Sequence, residues 1–130
     1  MTREEKQLLF QDLSARLPHR VRVKVWLKEG TTEEGILDLE HNYGDVLRDS
    51  FYYNEIKGIK PYLRPISSMT EEEREEYKKL SLIVVQNYDS VILPNMNEID
   101  WLNANHFDYR GLIPKGLAIS VTKENNPYKE

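Results

Sequence analysis

The clearest pattern along the chain is an alternation of apolar and polar positions in its first half. From Arg20 to Glu29, valines and a leucine recur at every second position, which is the period of a half-buried β-strand. Three further apolar stretches follow, "ILDLE", "VLRDSFYY" and "EIKGIKPYLRP", the last with a break near Gly58 and Pro61. The segments "KEGTTEEG" and "HNYGD" between them are rich in turn residues. The pattern predicts four antiparallel strands, because no helix separates them.

Capping boxes mark the starts of two helices. Each is a Thr followed three residues later by a Glu, at Thr2 with Glu5 and at Thr70 with Glu73. Apolar residues at steps of three or four follow each box, so we predict helices over about residues 3–16 and 70–86. The β-branched run Ile83, Val84, Val85 could instead make the end of the second segment a strand. A short helix is expected from Asn97 to about Asn105, with Pro94 closing the segment before it. The last residues, "NNPYKE", are expected to be frayed.

Together these patterns predict an α+β protein with an N-terminal helix, a small antiparallel SH3/Sm-like β-barrel and a helical C-terminal half. A chain of 130 residues has the length of one domain. The best internal boundary is "RPISSM", which separates residues 1–68, helix plus barrel, from residues 69–130, a helical region packed on the barrel. The two parts are expected to form one compact unit.

Composition and charge narrow the classes of function. The chain has no cysteine, so disulfides and thiolate zinc sites are impossible, and we expect a cytoplasmic protein. Neither a signal peptide nor a membrane span is predicted. Residues 1–68 carry 11 Lys and Arg against 11 Asp and Glu, and residues 69–130 carry 7 against 11. Proteins that bind phosphate backbones usually carry an excess of positive charge. The net charge of −4 shows that this chain has no such overall excess.

Part of the first half resembles the Sm-like barrels. The segment "VWLKEGTTEEGILDLEHNYGDVLRD" has the apolar alternation, the Leu27-Lys28-Glu29-Gly30 turn and the second glycine of the first Sm motif, and Ile56-Lys57-Gly58 falls where the second motif has its apolar-basic-Gly triplet. The resemblance implies a barrel preceded by a helix, and RNA binding. The usual Asp-x-x-Met-Asn, which carries the RNA-base contacts of that family, is replaced here by "EHNYGD".

A longer resemblance covers nearly the whole chain. The segments "LSARLP", "IKPYLRPISSMTEEEREEYKKL" and "WLNANHFDYRGLIPKGLAI" are similar to those of a family of small uncharacterised proteins of gut-bacterial genomes and prophage-like elements. This resemblance implies no activity.

The segment from Ile99 to Ile119 concentrates the residue types from which sites are built. Trp101, Tyr109 and Arg110 are of the types that dominate interface energetics, so we predict them as candidate partner-binding anchors. The internal alternative is that Trp101 seals an edge of the core and that Arg110 pairs with Asp108 or Asp100. Both interpretations remain open at the level of sequence.

His106 and Asp108, with Asp100 near them in sequence, could form a metal site or an Asp-oriented general base. A structural role is the simpler interpretation, in which His106 ends a helix and Asp108 caps the next turn. The other histidines, His19 and His41, do not add a metal-ligand spacing such as H-E-x-x-H. No phosphate-binding or nucleophile motif is found either. We therefore predict no catalytic residue, metal or cofactor.

One strand face combines cations with an aromatic ring. Arg20, Arg22, Lys24, Trp26 and Lys28 alternate with the apolar positions, and such a stripe can follow a nucleic-acid backbone while the tryptophan stacks on a base. A solvated face, paired with Glu33, Asp38 or Glu40 of the next strand, explains the stripe as well.

The functional hypothesis is a non-catalytic interaction module that binds a protein partner or self-associates. It would use a groove between the barrel and the C-terminal helices. The alternative is an Sm-like RNA-binding protein that uses the basic stripe. A second alternative is a small hydrolase using His106 and Asp108.

Overall fold

The computed structural model describes residues 2–27, 29–37, 56–85 and 93–128. Its first element is helix α1, Arg3–Arg16, which starts at the predicted capping box. The Thr2 hydroxyl accepts from the Glu5 N–H at 3.1 Å, and the Glu5 carboxylate accepts from the Thr2 N–H at 2.9 Å. The predicted bounds of this helix are confirmed.

The alternating stretch forms a strand that pairs with the next one in antiparallel fashion. Strand β1, Val21–Leu27, lies against β2, Thr32–Leu37, with Lys24 opposite Glu34. The turn between them is shorter than the predicted segment of residues 28–35, because Leu27 N–H already bonds Thr31 C=O at 2.9 Å. Gly30 supplies the positive φ of 94° that this tight turn requires. Pairing with β1 therefore turns "TEEG", residues 32–35, into strand, against its turn-like composition.

Strand β3, Ile56–Pro65, pairs with the other edge of β1. The register places Lys24 opposite Lys60 and Trp26 opposite Gly58, and it shifts between Trp26 and Leu27. The predicted break near Gly58 and Pro61 is thus a bulge at one end, and the strand continues through the proline. The predicted strand "VLRDSFYY" lies outside the described residues.

Two helices and two short strands complete the described chain. Helix α2, Glu71–Val85, starts at the second capping box, where the Thr70 hydroxyl accepts from the Glu73 N–H at 3.2 Å. Helix α3, Leu93–Ala104, begins before the expected position, because Pro94 falls in its first turn, where proline is tolerated. Strands β4, Phe107–Asp108, and β5, Ile119–Ser120, follow.

The prediction of a helical C-terminal half is wrong beyond Ala104. After this residue the described chain forms turns and the two short strands. The segment from Arg110 to Gly116 contains two glycines with positive φ, at 75° and 74°, and a proline. Such residues favour turns over helix.

The predicted closed SH3/Sm-like barrel is also wrong for the part of the chain that the structure describes. The described residues form a mixed, open five-stranded sheet of order β2-β1-β3-β4, in which β5 also pairs with β3. Both β4 and β5 run parallel to β3 and pair with its last residues, 62–65. Short strands from the C-terminal half therefore occupy the part of β3 that a closing strand would need.

Strands β4 and β5 lie on opposite edges of β3. The Arg64 N–H donates to His106 C=O at 2.7 Å, next to β4, and Leu63 C=O accepts from the Val121 N–H at 2.8 Å, next to β5. The backbone groups of successive strand residues point to opposite edges of a sheet. Tyr62, two residues before Arg64, therefore directs its backbone groups toward the edge that β1 and β4 share.

The core forms between the inner face of the sheet, α1 and the segment after β4. Val21, Val23 and Val25 are at most 1% exposed, as the alternation predicts. Members on both sides of the predicted boundary at residue 68 contribute to this cluster: Leu9, Leu13, Val21, Val23, Val25, Leu37, Ile59, Leu63, Leu112, Leu117 and Ala118. No helix in the described residues is long and apolar enough to cross a membrane.

Candidate functional site

The outer face of the sheet carries the basic stripe, with Trp26 at its centre. Lys24 and Trp26 are partly exposed because they alternate with the buried valines of β1. The register adds Lys60 of β3 to the same face, directly opposite Lys24. The Lys24 and Lys60 Nζ atoms lie 5.5 and 5.6 Å from the Trp26 ring centroid, the distance of cation–π contacts. We call Lys24, Trp26 and Lys60 the Trp26 face.

The counter-charges of this face are few among the described residues. Within that part of the chain, neither lysine ammonium lies within 4.0 Å of a carboxylate. Glu34, opposite Lys24, accepts a hydrogen bond from the Tyr62 hydroxyl. Burial first, and then this carboxylate, raise the pKa of Tyr62 to about 12. Tyr62 therefore remains a neutral donor, and part of the acceptor capacity of Glu34 is used inside the protein.

The remaining members of the predicted stripe are placed differently. Arg22 is partly exposed on the same face as Lys24. Arg20 lies before the strand, in a left-handed conformation with φ of 55°. Lys28, Asp38 and Glu40 lie outside the described residues. The register places Glu34 opposite Lys24 and Glu33 opposite Val25.

A further cation lies near the Trp26 face. Lys60 and Lys115 line a cleft of about 260 Å³ together with Glu5, Ile59, Gly116 and Leu117. Lys115 comes from the turn before β5, far from β1 and β3 in sequence. The alternation of β1 could not predict that Lys60 and Lys115 line one cleft. Their positions depend on the register of β3 and on the course of the turn before β5.

The candidate anchor Trp101 makes contacts within the protein. Its ring stacks on Phe107 at 5.7 Å between centroids and lies tilted against Tyr77 at 5.6 Å. Its indole N–H donates to the Glu76 carboxylate at 3.2 Å. These contacts join α3 to α2 and β4, which is the edge-sealing role described by the internal interpretation.

Tyr109 and Arg110 are partly exposed and belong to a polar cluster centred on the buried Asp12. The Arg110 guanidinium lies 4.9 Å from the Tyr109 ring, and its Nε is 3.3 Å from the Asp12 carboxylate. Asp12 is fully buried and also accepts from Arg16 Nε at 2.7 Å. The internal partner of Arg110 is therefore Asp12, and not Asp108 or Asp100 as the sequence suggested. We call Asp12, Arg16, Tyr109 and Arg110 the buried cluster.

Arg16 connects the buried cluster to β4. Its side chain is fully buried, and Nη2 donates to Phe107 C=O at 2.6 Å. Its guanidinium carbon lies 5.2 Å from the Tyr109 ring. The Asp12–Arg16 pair has the i, i+4 spacing of a helix, which was a signal in the sequence, but only the tertiary fold shows that it is buried.

His106 and Asp108 have the structural roles that their positions allow. His106 ends α3 in a left-handed conformation with φ of 63°, and its ring stacks on Tyr128 at 3.8 Å and 9°. The Asp108 carboxylate accepts from the N–H groups of Leu112 and Ile113, both at 2.9 Å, and so caps the following turn. In the described residues no group of three or more His, Cys, Asp or Glu side chains could hold a metal.

The environment of His106 keeps the imidazole neutral. Burial, followed by the positive charges of Arg16, His19 and Arg64, lowers its pKa to about 4. Its Nδ1 is buried and has no hydrogen-bond partner among the described residues. The residue that stacks on it, Tyr128, lies in the tail that was expected to be frayed, and this expectation is wrong for Tyr128.

Comparisons with known proteins leave these sites to be interpreted from their geometry. No protein-family model, no curated protein and no solved structure matches the chain. The two resemblances noted in the sequence therefore remain predictions.

Proposed function

We propose that this protein is a non-catalytic interaction module that binds an acidic segment of a protein partner on the Trp26 face. The observation that carries the proposal is the pair of ammonium groups, 5.5 and 5.6 Å from one tryptophan ring. Two adjacent cations without a paired carboxylate in the described chain produce a positive potential, which attracts a carboxylate-bearing segment. The Trp26 ring holds the two ammonium groups close together on this face.

The Trp26 face supports this proposal better than the anchors predicted from the C-terminal half do. The C-terminal anchors already contact internal partners. Trp101 stacks on Phe107, and Arg110 lies against Tyr109 and Asp12. Removing them from these partners to bind another protein would leave buried polar groups unsatisfied. Lys24 and Lys60 require no such rearrangement.

Nucleic acid is the second candidate, because the same residues could contact phosphates and stack on a base. Stacking needs a free ring face, however, and both ammonium groups already lie over the Trp26 ring. The net charge of −4 also provides little of the counterion release that supports phosphate binding. An acidic peptide can bind the ammonium groups where they lie, so we favour a protein partner.

A binding assay at low salt tests the proposal. The probes are a fluorescein-labelled peptide rich in Glu and Asp, without tyrosine, and a single-stranded oligouridylate of equal charge. We expect the peptide to bind the wild-type protein in a salt-sensitive manner. The double variant Lys24→Gln/Lys60→Gln should weaken binding at least tenfold. The matched control Lys78→Gln/Lys79→Gln on α2 removes the same charge and should change the affinity less than threefold.

Three outcomes would contradict the proposal. The peptide fails to bind at low salt, or the control variant weakens binding as much as the Lys24 and Lys60 variant does. In the third, the oligouridylate binds more tightly than the peptide and depends on Lys24 and Lys60, which would establish the nucleic-acid alternative.

A further inference from the structure

The C-terminal segment Val121–Tyr128, here called the C-terminal strap, crosses the outer face of β3. It leaves β5 at one edge of β3, where the Val121 N–H donates to Leu63 C=O. It ends at the opposite edge, where the Tyr128 hydroxyl donates to Tyr62 C=O at 2.7 Å. Between these ends, residues 124–127 line a cleft of about 270 Å³ with Glu34 and Tyr62, whose side chains lie on the outer face. The strap therefore lies on the same face of the sheet as Lys24, Trp26 and Lys60.

Tyr128 lies in the gap between β1 and β3 at Arg22 and Tyr62, here called the seam, and its phenol group bonds to both strands. Its hydroxyl accepts from the Arg22 N–H at 2.9 Å while donating to Tyr62 C=O. Because Val23 pairs with Pro61, Arg22 and Tyr62 face each other at the next step of the ladder. The hydroxyl thus stands where a direct bond between the strands would be expected.

The rest of the tyrosine also has a defined place in this seam. Its ring lies parallel to the imidazole of His106, with 3.8 Å between centroids. Burial raises the pKa of Tyr128, so the hydroxyl stays protonated and able to donate. A ring of this size that ends in one donor-acceptor group bonds both the Arg22 N–H and the Tyr62 C=O and stacks on His106.

The strap is attached to the sheet mainly at its two ends. The Thr122 hydroxyl and N–H both donate to the Asn125 side chain, at 2.7 and 2.6 Å, and the Tyr128 N–H donates to the Asn126 side chain at 2.9 Å. Asn125 also donates to Ser120 C=O at 3.1 Å. In the described structure, these bonds between the ends remain within the strap and β5. Residues 122–128 can therefore leave the face when the two bonds of the Tyr128 hydroxyl break, while the Val121 N–H stays bonded to Leu63 C=O.

We infer that the strap occupies the place of a partner, and that the partner is an extended segment in which an acidic residue is followed by a tyrosine. The inference rests on the proposed function and specifies the partner of that face. The strap contains one acidic residue before its tyrosine, Glu124, next to Lys123; the tyrosine position is taken from the strap and the acidic character from the proposed function. A partner segment would displace the strap, place its tyrosine against His106 between Arg22 and Tyr62, and extend its acidic residues toward the Trp26 face.

The strap then acts as an internal competitor. A segment tethered by a few residues has an effective concentration in the millimolar range. The intact chain therefore binds the partner more weakly than a chain with a released strap. A single residue, Tyr128, controls this difference, because it holds the end of the strap that lies far from β5.

Peptide binding to the full-length variant Tyr128→Ala tests the inference. The probe is a fluorescein-labelled peptide with the sequence of residues 121–130, and its matched control has phenylalanine in place of the tyrosine. We expect the tyrosine peptide to bind Tyr128→Ala at least tenfold more tightly than it binds wild type. The phenylalanine peptide should bind Tyr128→Ala about fivefold more weakly than the tyrosine peptide, because it cannot bond Arg22 N–H or Tyr62 C=O.

Hydrogen exchange of the Arg22 amide gives a second readout that does not depend on Tyr128→Ala folding. We expect this amide to be protected in wild type and to exchange at least tenfold faster in Tyr128→Phe, which keeps the ring. The amides of Val23 and Val25 should be unchanged. Equal exchange of the Arg22 amide in wild type and Tyr128→Phe would overturn the phenol site.

The two proposals fail in different ways. If the tyrosine-free acidic peptide binds through Lys24 and Lys60 but the strap peptide binds both proteins equally, the inference is wrong and the proposed function stands. If the strap peptide prefers Tyr128→Ala but ignores the Lys24→Gln/Lys60→Gln change made in that variant, the seam is a phenol site and the inferred extension of the partner to the Trp26 face is wrong. The proposed function is then wrong only if the tyrosine-free acidic peptide also ignores Lys24 and Lys60. Equal affinity of the tyrosine and phenylalanine peptides overturns the inference in either case.

Discussion

Two aromatic rings of this protein each lie close to two cationic side chains, one pair beside the buried Asp12 carboxylate and the other on the outer face of the sheet. In every case the charged group is 4.9 to 5.6 Å from the ring centroid. The inner pair is Arg16 and Arg110 at Tyr109, and the outer pair is Lys24 and Lys60 at Trp26. The two arrangements are alike in residue type and distance, and they differ in their counter-charges.

The inner arrangement has its counter-charge built in. The Asp12 carboxylate is fully buried and lies within 3.3 Å of both guanidinium groups. A charge removed from water needs such a partner, because its desolvation costs several kcal/mol. The outer lysines keep their contact with water, so the fold does not have to supply a carboxylate. This difference separates cations that hold the structure together from cations that are available to a partner.

The largest effect is expected from removing the inner counter-charge. Asp12→Ala leaves Arg16 buried without a carboxylate, and we expect a loss of about 3 to 5 kcal/mol in the free energy of unfolding. Urea unfolding of the variant measures this loss. The exposed carboxylate of Asp100 provides a control, since Asp100→Ala should change the free energy by less than about 0.5 kcal/mol. A loss below about 1 kcal/mol for Asp12→Ala would show that the inner cations do not depend on their counter-charge.

His106 is a third potential cation near the buried cluster and is kept neutral. Lowering the pH should therefore destabilise the fold. The pKa of His106 is lowered to about 4, first by burial and then by Arg16, His19 and Arg64. The unfolded chain takes up this proton near pH 6.5 and the folded chain does not, so stability is lost as the pH falls from about 6.5 to about 4. The loss should reach at most about 3 kcal/mol.

The matched variant for this titration is His106→Asn. Asparagine tolerates the left-handed conformation at this position, and it removes the titrating group. The free energy of unfolding of the variant, measured at several pH values, should stay constant between pH 6.5 and about 5. That of the wild type already declines in this range. Parallel curves for the two proteins would contradict the assignment of this decline to His106.

An intermediate effect is expected at an ion pair that is partly exposed. Arg64 donates two hydrogen bonds of 2.7 Å to the Glu73 carboxylate, and its guanidinium lies 4.2 Å from the Phe107 ring centroid. These bonds from Arg64, with those from Thr70, lower the pKa of Glu73 to about 2. The stability from this pair is fully present above about pH 4.5 and is lost as the pH falls toward about 2.

The variant Glu73→Gln should lower the free energy of unfolding at pH 7 by about 2 kcal/mol, because water screens part of the interaction. Its loss should therefore lie between that of Asp12→Ala and that of the outer lysines. Thermal unfolding at pH 7 and pH 3 checks the assignment, since wild type and variant should differ less at pH 3. A difference that grows at pH 3 would contradict it.

The same comparison shows how far the sequence could predict this molecule. Local signals were sufficient for α1 and the start of α2, because each capping box joins residues three apart in the chain. The alternation in β1 correctly predicted which side chains are buried and which remain accessible. These features depend on neighbours in sequence, where the chemistry of each residue decides the outcome.

Features that depend on distant residues were not predictable in this way. The partner of Arg110 proved to be Asp12, because α1 packs near the turn after β4. The barrel was wrong for a related reason, since β4 and β5 return from the C-terminal half to pair with β3. Tyr128 looked like part of a frayed tail, and its role depends on two backbone groups 66 and 106 residues away.

The smallest effect on stability is expected from the outer lysines. Lys24→Gln/Lys60→Gln removes two cation–π contacts at a partly exposed ring, each worth about 0.5 kcal/mol at such sites. The free energy of unfolding should therefore fall by no more than about 1 kcal/mol, while binding of the acidic peptide weakens at least tenfold. Urea unfolding and peptide titration of the same preparation measure both quantities. A stability loss above about 2 kcal/mol would mean that these lysines support the fold as Arg16 does, and the contrast between the inner and outer cations would disappear.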